Sequence, residues 1–387
     1  MIDDIDLEWV PDIPEGLEAL TPNAGGIGDP QSLVGRQLEL DRLMEAVSAG
    51  GAHVTGERRM GKTWLVKKLQ DDLAETTTAI YVSAETSSLE LFAEHLLAEL
   101  RKNRLVGTQV HTWEIEVGGK VRLNTGVAGL TLSGKATRAA NQPAANLDVL
   151  QLLGDQRIVL IIDEITHLCQ KLGPEQAEEF LSSLRSRRQS GGPPLVISGS
   201  IGLHHALKDF SSVNDLWPVS IGPLTTQDAV ELASRLLLGI GVQPTPQIVA
   251  DIVRQTSGIP FYIQGVVDQL RYRNDFDVTD VVDKCIEENI WHTSHYVTRL
   301  PEYYGEEGAE QARAVLDFLA TSDRLVSIEA IQARLDIDHP DLKLSRDDLL
   351  DLLDKLEKDH YLIRDGNADR MSSRLLARIW RHHRRLE

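Results

Sequence analysis

The sequence predicts an α/β fold, in which a parallel sheet flanked by helices is followed by an all-α region and a small C-terminal domain. Three observations lead to this prediction. A glycine-rich octapeptide at residues 56–63 stands between a short apolar strand and an amphipathic helix. A continuous apolar run at residues 158–162 ends in two carboxylates, which is typical of a parallel strand buried on both faces. From residue 225 onward the apolar residues recur at helical spacing.

The octapeptide has the spacing G-x-x-x-x-G-K-T, which is typical of a phosphate-binding loop. Its two glycines allow the backbone to turn N–H groups toward a phosphate. We expect Lys62 to reach the β- and γ-phosphates and the Thr63 hydroxyl to hold Mg²⁺. The following helix adds a partial positive charge at its N-terminus. The predicted phosphate-binding residues are Gly56, Glu57, Arg58, Arg59, Met60, Gly61, Lys62, Thr63 and Trp64.

Arg58 and Arg59 add two cations to this site in a chain whose net charge is −19. They either hold the γ-phosphate, couple it to the helices that follow, or are solvated loop cations.

The two carboxylates that end the apolar run predict hydrolysis as well as binding. Asp163 is expected to hold the Mg²⁺ shell beside Thr63. Glu164 is expected to polarise the attacking water as a general base. The alternative is a buried strand that ends in solvated carboxylates.

The segment that begins at Leu33, Leu-Val-Gly-Arg-Gln-x-Glu-Leu, resembles the start of AAA+-type ATPases in the STAND and archaeal origin-recognition groups. With the phosphate loop and the Asp-Glu strand end, the resemblance covers roughly residues 31–385. It implies a P-loop ATPase with ATP and Mg²⁺ as cofactors. It also implies that Val34, Gly35 and Arg36 lie against adenine and ribose, and that Pro260 touches the base.

The same resemblance assigns further residues around the γ-phosphate. Ser198 or Ser200 stands where the family places a hydroxyl that contacts this phosphate or the attacking water; alternatively, both are turn residues. Arg185, Arg187 and Arg188 are candidates for an arginine that reaches a neighbouring subunit's nucleotide. They are equally cations that complement a helix C-terminus. The lid has no obvious arginine for the nucleotide, which favours slow hydrolysis.

Composition changes along the chain predict its domains. No Lys or Arg precedes Arg36, and the first 30 residues are rich in Asp, Glu, Pro and Gly. The predicted domains are an acidic flexible arm at 1–30, a P-loop ATPase core at 31–222 with a β-hairpin insertion at 105–145, a helical lid at 223–300 and a winged-helix domain at 301–387. The insertion is either a partner or oligomer contact or a surface feature without function.

The predicted function is that of an ATP-binding, slowly hydrolysing switch or assembly module. Its expected partners are other proteins, in signalling or defence, or further copies of itself. The alternatives are a DNA-acting ATPase that uses the winged helix, and a scaffold that binds ATP structurally. DNA is the less favoured partner because the helix at residues 346–358, which would read a groove, carries more acidic than basic side chains.

Three further observations bear on where the protein acts. No apolar stretch approaches ~20 residues, so we expect no membrane partner. The N-terminus has neither the basic nor the apolar segment of a signal peptide. Cys169 and Cys285 are far apart and without metal-ligand spacing, which favours reduced thiols. These features predict a cytoplasmic protein.

Overall fold

The computed structural model describes most of the chain in two compact units. The described residues are 9–26, 28–105, 110–116, 120–125, 158–199, 205, 212–273, 275–322, 324–342 and 344–386. The sheet unit comprises residues 37–55 and 62–220, and the helical unit comprises residues 1–36, 56–61 and 221–387.

The sheet unit alternates strands and helices. In chain order its elements are α1 Gln37–Ser48, β1 Gly51–Thr55, α2 Lys62–Leu73, β2 Thr78–Ser83, α3 Leu89–Lys102, β3 Val110–Glu116, β4 Lys120–Thr125, β5 Ile158–Asp163, α4 Ile165–Leu172, α5 Pro174–Gln189, β6 Leu195–Ser198 and β7 Trp217–Ser220. Five strands form one sheet in the order β2-β5-β6-β1-β7, with every pairing parallel. Strands β3 and β4 form a separate antiparallel pair.

Strand β5 lies in the interior of the sheet, as its apolar run predicts. All six of its positions are buried. Its side chains join a core with those of β2, α3 and α5, where the rings of Phe92 and Phe180 meet edge to face with centroids 5.6 Å apart. In the pairing register, Asp163 lies beside Ser83. The parallel arrangement brings the polar C-terminal ends of the strands to one edge, where ligands bind in open α/β sheets.

The helical unit contains the remaining elements. They are α6 Thr226–Gly239, α7 Pro246–Gln255, α8 Pro260–Leu270, α9 Val278–Glu287, α10 His295–Thr298, α11 Leu300–Ala320, β8 Val326–Ser327, α12 Ile328–Asp338, α13 Arg346–Lys358, β9 Leu362–Asp365, β10 Ala368–Met371 and α14 Arg374–Arg384. Strands β8, β10 and β9 form a small antiparallel sheet in that order.

Helix α14 packs within the helical unit through an apolar stripe. Leu375, Leu376, Ile379 and Trp380 are buried on one face, while its arginines occupy the other positions. The Trp380 indole donates a 2.8 Å hydrogen bond to the carboxylate of Asp317. A buried indole N–H needs such a partner, and the bond fixes α14 against α11.

Part of the acidic N-terminal segment contacts two helices. The Leu20 amide donates to the Arg235 carbonyl oxygen at 2.9 Å, and the Arg235 guanidinium donates to the Glu18 carbonyl oxygen at 3.0 Å. The Asn23 amide donates to the side chain of Gln264 at 2.9 Å. Residues 18–23 are therefore held by α6 and α8, and the flexible arm at 1–30 stays a prediction.

These elements confirm the predicted fold class, a P-loop NTPase core with a parallel sheet flanked by helices and a helical C-terminal region. Strands β3 and β4 pair as the alternating pattern predicts, and residues 106–109, 117–119 and 126–145 of the predicted insertion lie outside the described residues. The boundaries of the four predicted domains stay predictions. Both cysteines are buried free thiols. Within the described ranges, no helix is long and apolar enough to cross a membrane.

His53 makes the stability of the sheet unit sensitive to pH. It lies in β1, between β6 and β7, and burial lowers the pKa of its imidazole from 6.5 to about 4. Below about pH 6.5 the unfolded chain therefore binds a proton that the folded chain does not, and stability falls as pH decreases toward pH 4. We expect urea denaturation to show a loss of about 2 kcal/mol from this residue between about pH 7.5 and pH 5.

The matched variants are His53→Asn, which should flatten this pH dependence, and His95→Gln, which changes an exposed imidazole on α3 and should leave it unchanged. If the stability of His53→Asn depends on pH as that of the wild type does, His53 is not the source of this dependence.

Candidate functional site

The loop at residues 56–61 has a backbone that only glycine permits at two positions. Gly56 and Gly61 have φ of +153° and +92°. A Cβ on Gly56 would collide with the carbonyl oxygen of Ile221. Glycine at these two positions therefore preserves the tight turn that a phosphate-binding loop requires.

Lys62 and Thr63 are the first two residues of α2, so this helix begins directly behind the loop. Leu65, Val66 and Leu69 are fully buried and hold the helix in the sheet unit. The Lys62 side chain is itself buried. A buried lysine at a helix N-terminus, where the helix already presents partial positive charge, provides a strong electrostatic site for an anion.

The Asp163 carboxylate is the centre of a hydrogen-bond network in the sheet unit. Its Oδ2 accepts bonds from the Thr63 hydroxyl at 2.8 Å and from the Tyr81 hydroxyl at 2.9 Å. Its Oδ1 accepts bonds from the Ser198 hydroxyl and, at 3.1 Å, from the Glu164 amide. Three elements besides β5 thus orient one carboxylate that is only 2% exposed.

Of the side-chain contacts, only that of Thr63 was expected, because the two motifs predict Thr63 beside Asp163. The family resemblance predicts Ser198 or Ser200 as a contact of the γ-phosphate or the attacking water, and that role stays a prediction. Tyr81 was missed, although its place near the end of β2, the neighbour of β5, was a usable signal. Burial, followed by the nearby Asp163 carboxylate, raises the pKa of the Tyr81 hydroxyl well above its usual value, so Tyr81 acts as a hydrogen-bond donor.

Glu164 stands where the chain turns from β5 into α4. Its φ of +55° lies in the left-handed region, which non-glycine residues rarely adopt. Such backbone conformations occur frequently at functional sites. Ser200, the other predicted hydroxyl near this edge, lies outside the described residues.

Arg36 holds its segment against the loop backbone within the helical unit. Its Nη2 donates to the carbonyl oxygen of Met60 at 3.1 Å and to that of Gly222. Val34 and Arg36 are buried, and Gly35 has a φ of +68°. The predicted contacts of Val34, Gly35 and Arg36 with adenine and ribose stay predictions. The observed role of the guanidinium is to fix the loop.

The two loop arginines have different surroundings. Arg58 is exposed. Arg59, with φ +73°, lies over the ring of Phe261, with its Cζ 4.0 Å from the ring centroid. Its Nη1 donates to the Tyr262 hydroxyl at 3.4 Å. Both aromatic residues directly follow Pro260, the first residue of α8. Of the roles considered for Arg59, its contacts favour coupling to the helices.

The contact of Arg59 continues through a series of rings, which we call the aromatic chain: Phe261, Tyr262, Tyr296, Tyr361 and Trp380. Phe261 is half-buried and the other four are buried. The hydroxyls of Tyr262 and Tyr296 lie 3.4 Å apart. The Tyr361 hydroxyl donates to the Tyr296 carbonyl oxygen at 2.6 Å, and its ring meets that of Trp380 with centroids 6.0 Å apart. The aromatic chain therefore connects the loop to α14 through direct contacts.

Arg299 lies beside the middle of the aromatic chain. Its Nε donates to the Tyr361 hydroxyl at 2.6 Å, and its Cζ lies 4.5 Å from the centroid of that ring. Burial disfavours its charged form, but Tyr361 and the Glu57 carboxylate of the loop together raise the pKa of Arg299. A second loop residue, Glu57, thus interacts electrostatically with this region.

The predicted finger arginines have a partner inside the sheet unit. Arg188 donates to the Asp215 carboxylate, and Arg185 Nε lies 3.4 Å from the same group. The pairing supports the interpretation that these cations stabilise the end of α5. A role for Arg185, Arg187 or Arg188 toward another subunit stays a prediction.

A parallel sheet, with a G-x-x-x-x-G-K-T loop between β1 and α2 and an oriented carboxylate at the end of β5, defines the class of P-loop NTPases. Residues 46–207 match the family model described as an AAA domain.

Several solved structures are similar to this chain. A Walker-type ATPase of Pyrococcus abyssi is similar, with a TM-score of 0.64 and 17% identity over 91% of this chain and 97% of that one. Cdc6p of Pyrobaculum aerophilum has a TM-score of 0.45 and 12% identity, over 93% and 96% of the two chains. The RuvB Holliday junction branch migration motor of Thermotoga maritima has a TM-score of 0.43 and 15% identity, over 92% of this chain and 96% of that one. No curated protein sequence matches the chain.

Proposed function

We propose that the protein binds ATP with Mg²⁺ at residues 56–63 and hydrolyses it slowly. The observation that carries this proposal is the hydrogen bond between Thr63 and Asp163, 2.8 Å long, which joins the phosphate-loop helix to the strand that ends in Asp-Glu. Two motifs 100 residues apart in sequence are thereby brought to one place. That pairing is the arrangement which nucleotide hydrolysis by P-loop enzymes needs.

The residues present fit Mg²⁺. The Thr63 hydroxyl and the Asp163 carboxylate supply hard oxygen donors side by side, which is the ligand chemistry that Mg²⁺ prefers. When bound, the ion would neutralise charge on the β- and γ-phosphates. Tyr81 and Ser198 would keep the Asp163 carboxylate in one orientation, and Lys62 would bind the phosphates from the helix N-terminus.

Glu164 supplies the step that distinguishes hydrolysis from binding. It directly follows Asp163, and its backbone turns away from the strand in the left-handed region. We propose that its carboxylate accepts a proton from the attacking water. An intact glutamate here argues against the alternative of a scaffold that binds ATP only structurally.

The proposed biological role is that of a nucleotide-dependent switch of the STAND type. The aromatic chain provides the physical route, because Arg59 lies in the loop and Trp380 lies in α14. We interpret α11 to α14, with the sheet β8-β10-β9, as the predicted winged helix. ATP bound at the loop would bias the position of Arg59, and the packed rings would transmit that bias toward α14.

Arg59→Ala is expected to preserve ATP binding but to remove the effect of ATP on residues 361–384. ATP affinity should stay within about threefold, because Lys62 and the loop backbone remain. The decrease in amide hydrogen exchange that ATP causes in residues 361–384 of the wild type should be lost. Hydrogen exchange by mass spectrometry, with and without ATP, measures both states.

The control is Arg58→Ala, which removes a neighbouring but exposed cation and should keep the wild-type response. If Arg59→Ala responds to ATP as fully as Arg58→Ala does, the aromatic chain does not couple the loop to α14.

Protein partners or further copies of the chain are the proposed targets of the switch. Size-exclusion chromatography with light scattering, in the absence of nucleotide, with ATP and with a slowly hydrolysed analogue, tests self-assembly. A molar mass that increases only with the analogue would support contact of Arg185 or Arg188 with the nucleotide of a neighbouring subunit. Such a role requires that they leave Asp215.

A DNA-acting ATPase is the less supported alternative. The exposed face of α13 is acidic, Arg378 is paired with Asp283, and Arg384 is paired with Asp317. We therefore expect no duplex binding at about 50 mM salt, with ATP present, in a fluorescence anisotropy titration. Salt-sensitive binding that weakens when Arg378, Arg381 and Arg384 are replaced by glutamine would instead support the DNA-acting alternative.

A further inference from the structure

A second cationic site lies in the helical unit, between α7, β10 and the N-terminal turns of α14. It is a cavity of about 220 Å³. Five arginines line it, together with the hydroxyl residue Ser322: Arg254, Arg370, Arg374, Arg378 and Arg381. None of the described residues that line this cavity is an aspartate or a glutamate. The chain carries 40 basic and 59 acidic side chains, so five arginines around one cavity oppose the charge of the protein as a whole.

Contacts with neighbouring residues orient three of these arginines, and two of the three are in ion pairs. Arg254 pairs with Asp251 on its own helix at 2.7 Å. Arg378 pairs with Asp283 and also donates to the side chain of Gln255 at 2.7 Å. Arg381 donates to the Ala320 carbonyl oxygen at 3.2 Å, which is an uncharged partner. Because an arginine has five N–H donors, these contacts leave donors for a ligand.

The N-terminus of α14 adds to this field. The helix spans 11 residues, and its first residue, Arg374, lines the cavity. Ser373 caps the helix by accepting a bond from the Leu376 amide at 3.0 Å. Ser257 accepts a bond from the Leu375 amide at 3.3 Å. The capped terminus holds the backbone in place, and its partial positive charge favours an anion beside the arginines.

We infer that this cavity is a second phosphate-binding site, separate from the loop at residues 56–63, and that its ligand is a small phosphorylated molecule. The volume equals that of about seven water molecules, which suffices for one or two phosphoryl groups. Guanidinium groups bind phosphate oxygens through paired hydrogen bonds. A small ligand is favoured over a duplex because the acidic face of α13, in the same unit, would repel an extended polyanion.

The site goes beyond the proposed ATPase function and is tested independently of it. The test uses the full-length Lys62→Ala protein, in which the phosphate loop is disabled, and inorganic pyrophosphate as the probe. Isothermal titration without Mg²⁺ should show saturable binding to one site. The further double change Arg374→Gln and Arg381→Gln should weaken that binding at least about tenfold, because each substitution removes a charged donor. The matched control, Arg346→Gln, changes a surface arginine of α13 and should bind as the parent does.

Several outcomes would overturn the inference. These are the absence of saturable pyrophosphate binding, and equal affinity in the double variant. Binding of a single-stranded oligonucleotide by a protein that does not bind pyrophosphate would assign the cavity to nucleic acid instead. If circular dichroism shows that the double variant is unfolded, Ser322→Asp decides, because it places a carboxylate in the cavity and removes no arginine. If the wild-type protein does not bind ATP, the proposed ATPase function is contradicted, but the result on pyrophosphate binding still stands.

Discussion

Lys62→Ala is expected to abolish measurable ATP binding. The Lys62 side chain is buried at the N-terminus of α2, and its truncation removes the charge that we propose to meet the β- and γ-phosphates. Removing one partner of such a buried charge pair costs about 2–5 kcal/mol, which corresponds to a loss of affinity of roughly 30-fold to several thousandfold. Titration of a fluorescent ATP analogue measures this change directly.

The control for this experiment is Lys68→Ala, on the same helix. Lys68 pairs with Asp72 one turn further along and has no expected contact with nucleotide, so its affinity for ATP should equal that of the wild type. Unchanged ATP binding in Lys62→Ala would show that residues 56–63 do not form the nucleotide site.

Glu164→Gln is expected to stop turnover while ATP binding persists. The amide keeps the size of the side chain but cannot accept the proton of the attacking water. Loss of a general base lowers the hydrolysis rate by about 10²- to 10⁴-fold. Steady-state phosphate release should therefore fall to background, and the dissociation constant for ATP should change by less than about threefold.

Glu179→Gln provides the comparison, because it makes the same chemical change at an exposed position of α5. Its hydrolysis rate should match that of the wild type. Wild-type turnover in Glu164→Gln would rule out Glu164 as the base, whereas loss of both binding and turnover would point to a structural role at its strained backbone position.

Most of the sheet unit could be predicted from the sequence because its signals are local. A buried parallel strand needs a continuous apolar run, and residues 158–162 supply one. The loop motif depends on glycines at fixed spacing, and Gly56 and Gly61 indeed have backbone angles that favour glycine. The sequence of α13 likewise predicted its acidic exposed face. For the same reason, Asp163 and Thr63 could be expected to meet, since both belong to motifs with known places on a sheet.

The N-terminal segment shows the limit of such local reasoning. Its proline, glycine and acidic content predicts flexibility, yet the backbone groups of Glu18, Leu20 and Asn23 make hydrogen bonds to α6 and α8. Composition describes the tendency of a segment in isolation. It contains no information on whether another part of the chain offers partners for its N–H and C=O groups.

By itself, the sequence determined the class of the fold, the phosphate loop and the carboxylates at the end of β5. The tertiary structure alone decided that Tyr81 orients Asp163, that Arg59 packs on Phe261 and Tyr262, and that five arginines surround one cavity. Arg59 and Tyr262 are 203 residues apart, and Tyr81 and Asp163 are 82 apart. Periodicity and motif spacing report the conformation of neighbouring residues, whereas pairings at such separations depend on how the whole chain folds.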